Sequence, residues 1–107
     1  MAVQKSSVPV PRQRLVKLMQ RINFGRIENL AIAGGQPVLA PPPRIVREIK
    51  LGGENGPRPE AAIDDFALKS QVVELFRTLD DRRDGVIDVL EIKHGLPFRL
   101  VIREDAA

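Results

Sequence analysis

Residues 25–40 read GRIENLAIAGGQPVLA, and residues 85–100 read GVIDVLEIKHGLPFRL. Laid over one another 60 positions apart and without a gap, Gly25, Ile27, Leu30, Ile32, Gly35 and Pro37 meet Gly85, Ile87, Leu90, Ile92, Gly95 and Pro97. Glu28 meets Asp88 and Val38 meets Phe98, so chemical character persists at positions where identity does not. Six identities in sixteen ungapped positions predict an internal duplication, which has to be settled before any element is assigned.

Each copy carries a glycine turn, Ala33 to Pro37 in the first and Lys93 to Pro97 in the second. Such turns need positive φ, which glycine adopts freely and His94 tolerates better than most residues. Leu30 and Ile32, like Leu90 and Ile92, sit two apart and share one face of a strand. On the return arm Phe98, Leu100 and Ile102 alternate with Arg99, Val101 and Arg103, which predicts a β-hairpin with one buried face. Ile27 and Ile87 are out of phase with the rest, so a bulge or a change of face is expected near each strand start. Pro37 and Pro97 follow the turns, where the missing N–H must point away from the ladder.

Upstream, Leu15 to Ile22 matches Val72 to Leu79 in pattern if a few residues differ in the join. At about 100° per residue Leu15, Leu18, Met19 and Ile22 fill one arc, as do Leu68, Val72, Leu75, Phe76 and Leu79. Each unit is therefore helix, glycine, strand, turn, strand, and neither can bury its apolar face alone. The expected fold class is α+β: internally duplicated helix–β-hairpin units, αββ(β)-αββ, forming one antiparallel sheet with two helices on one face about a pseudo-twofold.

Around this frame, residues 1–11 read as a flexible basic N-terminal arm and 12–107 as a single domain. Repeat 1 spans about 12–51, a Gly/Pro loop 52–60, and repeat 2 about 63–104. Pro11 suits a first helical turn, and that helix should end near Ile22. Ala40 to Pro43 makes a stiff connector to a further strand, Arg44 to Leu51, with Ile45, Ile49 and Leu51 on one side. The loop Gly52 to Pro59 lacks the spacing of a phosphate-binding glycine motif. Asp64 or Asp65 is expected to cap the second helix, with acids in its first turn.

Composition narrows the function classes. The 107 residues contain no cysteine, which excludes disulfides, thiolate nucleophiles and cysteine zinc sites. With four Phe and no Trp or Tyr, the core should be Ile, Leu and Val. No apolar run has membrane-spanning length, nor does the start resemble a signal peptide, so a cytoplasmic protein with no membrane partner is expected. The net charge of +3 is unevenly spread: Lys5, Arg12, Arg14, Lys17, Arg21 and Arg26 precede the first acid, leaving eleven cations against fourteen acids beyond Ile27.

Arg14, Lys17 and Arg21 lie within about 60° on the first helix, beside its apolar arc. With Arg12 and Arg26 they form a candidate contact surface for nucleic-acid phosphates or for an acidic protein. Little aromatic interleaving is present for base stacking and no helix-turn-helix is evident. His94 is the one histidine; its counterpart is Gly34, and no nucleophile or acid pairs with it in sequence, so it reads as a turn residue. Glu28 and Asp88 occupy equivalent positions and are read as strand carboxylates paired with arginine, with Arg26, Arg99 and Arg103 available.

Residues 80–91 place Asp80, Asp84, Gly85, Ile87, Asp88 and Glu91 at positions 1, 5, 6, 8, 9 and 12 of a twelve-residue loop that follows an amphipathic helix. This resembles the EF-hand family over about thirty residues. The resemblance implies Asp80, Asp84, Asp88 and Glu91 as calcium ligands, with the Val86 carbonyl and a sharp turn at Gly85. Arg82 at position 3 departs from the pattern, and Gly95 and Pro97 interrupt the segment where an exiting helix belongs. The duplicated hairpin accounts for Gly85, Ile87 and Leu90 without a metal, and no cofactor or metal is assigned. The expected function is that of a small non-catalytic binding protein. It would associate with protein, or with itself, through the basic helix or an exposed hairpin edge. Nucleic-acid binding is the alternative and calcium binding the second alternative.

Overall fold

The computed structural model describes residues 8–52 and 69–103. Its elements are α1 (Val10–Ile22), β1 (Gly25–Ala33), β2 (Gln36–Pro37), β3 (Arg44–Arg47), α2 (Ser70–Arg82), β4 (Gly85–Lys93) and β5 (Leu96–Val101). The chain is α+β, two helices packed on a curled antiparallel sheet. The expectations for residues 1–7, for most of the Gly/Pro loop and for Leu68, Asp64 and Asp65 fall outside the described residues.

β1 and β4 form the sheet centre, with β5 beyond β4, and β2 and β3 both on the outer side of β1. Ile27 faces Leu90 and Leu30 faces Ile87 across the central pair. These four, with Ile32 and Ile92, are buried against Leu15, Val16, Met19 and Ile22 of α1 and Val72, Leu75, Phe76 and Leu79 of α2. The core is thus aliphatic apart from Phe76. The expected change of face is present: Ile27 and Leu30 are both buried although three apart, and Asn29 between them takes φ 57°. An asparagine accepts that backbone better than most residues.

α1 has proline in its first turn, and the amides of Arg12 and Gln13 both donate to the Pro9 carbonyl at 3.0 Å. α2 begins at Ser70 with extended Lys69 as its N-cap, no side-chain capping bond and no acid in the first turn, in contrast to the expected acidic start. Helices and central strands recur 60 positions apart throughout, so Leu15, Val16 and Met19 stand where Leu75, Phe76 and Leu79 stand in α2. The sequence alignment of Leu15 to Ile22 with Val72 to Leu79 is therefore corrected by three positions. Three residues turn a helix by about 300°, close enough to a full turn for the apolar arcs to superpose in either alignment.

Both helices stop in the same unusual way. Asn23 (φ 65°, ψ −57°) and Arg83 (φ 59°, ψ −53°) sit at the centre of γ-turns, closed by Phe24 N donating to Ile22 O at 2.7 Å and Asp84 N to Arg82 O at 2.6 Å. This γ-turn is rare because it is strained. Gly25 (φ 152°) and Gly85 (φ 147°) follow and start the strands.

Two strand expectations are revised. The strand predicted from Arg44 to Leu51 ends at Arg47, and Ile49 and Leu51 are exposed. β3 runs back along β1 from Glu28 to Gly25, and after Glu48 N donates to Phe24 O no β1 backbone remains to pair with. β3 thus continues the return arm that β2 begins, after an excursion through Pro41, Pro42 and Pro43. On β5 the register jumps from Ile92 with Pro97 to Glu91 with Arg99, so Phe98 has no partner across the ladder. The side chain expected in the core is instead 61% exposed, with Lys93 Nζ 4.5 Å from its ring centre.

Candidate functional site

On α1 the backbone angles divide the basic residues in two. Taking Arg12 as zero, Leu15, Val16 and Met19 fall within about 60° of it, whereas Arg14, Lys17 and Arg21 cluster near the opposite side. Arg12 is accordingly buried, and Arg14, Lys17 and Arg21 are exposed. Arg12 Nη2 donates to the Gly35 carbonyl at 2.8 Å and to Asp80 Oδ1 at 2.5 Å, and its guanidinium lies 5.1 Å from the Phe76 ring centre. One side chain of α1 therefore ties down both α2 and the first hairpin turn. Arg26 is on the open face of the sheet, donating through Nε to Glu28 Oε2 at 2.7 Å. Of the five predicted contact residues, the fold brings three together on one exposed helix face and pairs the other two with acids of the same chain, Arg12 buried and Arg26 on the exposed sheet face.

The open face of the sheet is a charge lattice. Arg26 faces Glu91, which faces Arg99, and in the next row Arg44 faces Glu28. Arg99 Nε lies 2.6 Å from Glu91 Oε2, Arg103 Nε 2.7 Å from Asp88 Oδ2 and Arg44 Nε 3.7 Å from Glu28 Oε1. The hydrogen bond from Arg26, followed by the Arg26 and Arg44 charges, holds the Glu28 carboxyl below its ordinary range against the opposing effect of burial. The same bond raises Arg26. Glu28 and Asp88 are thus each held by arginine, the arrangement favoured from sequence. Exposed pairs of this kind contribute little individually, but alternation of sign lets charged residues stand directly opposite one another in a sheet.

The four carboxylates of the EF-hand resemblance are dispersed. Asp80 is on α2 beside Arg12, Asp84 Oδ1 accepts from Gly34 N at 3.0 Å, and Asp88 and Glu91 lie on β4 against Arg103 and Arg99. The chain after Glu91 is strand, turn and strand where an EF-hand needs a helix. No group of three or more His, Cys, Asp or Glu converges on a common point among the described residues.

His94 packs edge-on against Phe24, ring centres 4.8 Å apart. Beside it Gly95 N donates to Asn23 O at 2.9 Å, and at the other turn Gly35 N donates to Arg83 O at 2.7 Å. Each γ-turn carbonyl is thus received by the glycine turn of the other half. Sequence reasoning missed these two clasps, since each joins positions distant in the chain, Gly95 to Asn23 and Gly35 to Arg83. It also missed that Arg12 faces inward, although the helical angles contain that signal.

Shallow hollows of about 240 and 250 Å³ flank Phe98 between α2 and β5, lined by Gln71, Glu74, Leu75, Leu96 and Leu100 among others. No helix of the described residues is long and apolar enough to cross a membrane. No family model, curated protein or solved structure matches the chain.

Proposed function

We propose that this is a non-catalytic binding protein built by duplication of one helix–hairpin unit, and that it holds an acidic protein partner on the outer face of α1. The duplication is supported by the register of the central strands. Adding 60 to one member and subtracting it from the other turns Gly25 with Ile92 into Gly85 with Ile32, Arg26 with Glu91 into Val86 with Ala31, and Ile27 with Leu90 into Ile87 with Leu30, all of which are paired. The matching γ-turns and reciprocal glycine clasps support the same pseudo-twofold.

The observation that carries the functional reading is a difference between equivalent helices. α1 presents Arg14, Lys17 and Arg21, while the same positions of α2 are Glu74, Arg77 and Asp81. The inward faces of both helices are mainly aliphatic, interrupted by Arg12 and Gln20 on α1 and Phe76 on α2, and the all-cationic outer face belongs to α1 and not to α2. A protein partner is favoured over nucleic acid because Arg12 and Arg26 are already engaged by Asp80 and Glu28. Three cations over two helical turns suit an acidic helix or loop, whereas tight duplex binding uses about six to ten phosphate contacts.

The test is an amide-resolved NMR titration with a polyglutamate peptide in one sample and a mixed-sequence DNA duplex in another. Shifts centred on Arg14, Lys17 and Arg21 with the peptide, lost in the chain carrying Arg14→Glu, Lys17→Glu and Arg21→Glu, are expected. Tighter, steeply salt-dependent binding of the duplex at the same residues would replace this reading with nucleic-acid binding. Silence along α1 in both samples would remove the surface from consideration.

A further inference from the structure

We infer that two copies of this chain associate edge to edge through β5, the two strands pairing antiparallel about a twofold axis at Leu100. The inference stands apart from the reading of α1.

The two edges of the sheet are built differently. Beyond β1 lie β2, two residues long, and β3, four residues with Arg44 and Arg47 at its ends and Pro41, Pro42 and Pro43 before it. Short strands, charges and prolines of this kind keep a sheet edge from pairing with another chain. β5 is six residues long and has β4 as its one neighbour among the described strands. Its proline, Pro97, lies near its start, while Arg99 and Arg103 are drawn onto the open sheet face by Glu91 and Asp88. What remains along this edge is apolar: Phe98, Leu100, Val101 and Ile102.

The bulge against β4 leaves Phe98 outside the ladder and 61% exposed, with hollows of about 240 and 250 Å³ flanking it. In the first half the equivalents of Phe98, Arg99 and Thr78 are Val38, Leu39 and Leu18, all half-buried, and both leucines pack against the core. The first half turns inward what the second leaves at its edge. A patch that carries both a projecting ring and hollows beside it is self-complementary, which is what a twofold interface between identical copies requires.

The arginines select the register. With Leu100 opposite Leu100 of the second copy, Arg99 meets Val101 and Phe98 meets Ile102, so apolar side chains oppose one another on the helix side. The second copy's Leu100 and Ile102 then reach the hollow lined by Leu75, Phe98 and Leu100. A shift of two residues either way would set Arg99 opposite Arg99 or Arg103 of the second copy, and like charges directly opposite destabilise a strand pair. A shift of one residue would put the apolar row on the wrong face.

The test is sedimentation equilibrium of the full chain across a concentration series, with amide NMR spectra of the same samples. Monomer passing to dimer as concentration rises, with shifts centred on residues 98–102, is expected. Phe98→Asp should weaken dimerisation at least about tenfold, and Val101→Lys, which sets a cation opposite Arg99 of the second copy, should act in the same direction. Both positions are exposed, and unchanged melting of the variants at low concentration separates loss of pairing from loss of fold. Monomer at every concentration overturns the pairing. A dimer that withstands both changes overturns it as well, as does one abolished by Arg14→Glu, Lys17→Glu and Arg21→Glu together, which would put the interface on α1.

Discussion

Arg12 of α1 donates through one nitrogen to Asp80 of α2 and to the carbonyl of Gly35 in the first hairpin turn. A cation near the middle of an apolar helix face is tolerated because its charge is met by a carboxylate and its plane by the Phe76 ring. Asp80 is itself largely exposed, its side chain retaining 63% of its surface, so the charge pair is only half desolvated.

Truncation of Arg12 should therefore cost more than removal of its acid. Arg12→Ala loses the bond to Gly35, the Phe76 contact and the buried stem, an expected loss of about 2–4 kcal/mol. Asp80→Asn, which keeps an acceptor at the surface, should cost under about 1 kcal/mol. Urea denaturation of both variants and the double variant checks this; equal costs for the two single changes would mean that the charge pair and not the burial dominates.

Gly25 and Gly85 offer a matched pair of probes. Both have φ near 150°, but a β-carbon on Gly25 would fall 2.2 Å from the Val46 carbonyl oxygen, and one on Gly85 would meet nothing within 4 Å. Gly85→Ala is expected to cost about 1–2 kcal/mol from backbone strain alone, and Gly25→Ala at least about 2 kcal/mol more as β3 is pushed from β1. Thermal unfolding of the two variants measures the difference. Similar melting temperatures would show that β3 can move aside freely.

Arg83 occupies a γ-turn centre without the help of a small side chain. Arg83→Gly should remove the strain while keeping the carbonyl that accepts from Gly35, a gain of up to about 1 kcal/mol after the extra entropy of an unfolded glycine is subtracted. A loss of stability on denaturation would mean that the Arg83 side chain supports the turn by contacts outweighing its backbone strain.

Acid should weaken the sheet through Glu28. Its carboxyl is held below its ordinary 4.5 when folded, so the folded state binds its proton less readily than the unfolded chain does. The resulting stability is present above the ordinary value and is lost as pH falls through the depressed one. Glu28→Gln is expected to be less stable than the parent at neutral pH and to converge with it as pH falls through the depressed value of the Glu28 carboxyl. A difference that stayed constant over that range, followed by urea midpoints, would rule out Glu28 as the titrating group.

The three outward cations of α1 should be dispensable for folding. Replacing Arg14, Lys17 and Arg21 together by glutamate is expected to change stability by no more than about 1 kcal/mol, since each is an exposed helix position. A far-UV spectrum and a melting curve would establish this before any binding loss is attributed to the surface. A collapse of the fold would assign the row a structural role.

The sequence by itself determined the elements that depend on local periodicity and turn chemistry. The strand pairs Leu30 with Ile32 and Leu90 with Ile92, the turns at Gly35 and Gly95, and the amphipathic helices all follow from spacing that a short chain segment enforces alone. It also held the clue to Arg12, because its angle on the α1 wheel lies among Leu15, Val16 and Met19. Tertiary structure alone decided what depends on partners distant in the chain. Asp80 is 68 residues from Arg12, the clasps join Gly35 to Arg83 and Gly95 to Asn23, and β3 stops where β1 runs out of backbone. The bulge that turns Phe98 outward is likewise a matter of register against β4, which hydrophobic alternation along β5 does not encode. Periodicity fixes which face a residue takes within its own element; only packing of one half on the other fixes which charges meet across the fold, as Arg12 meets Asp80.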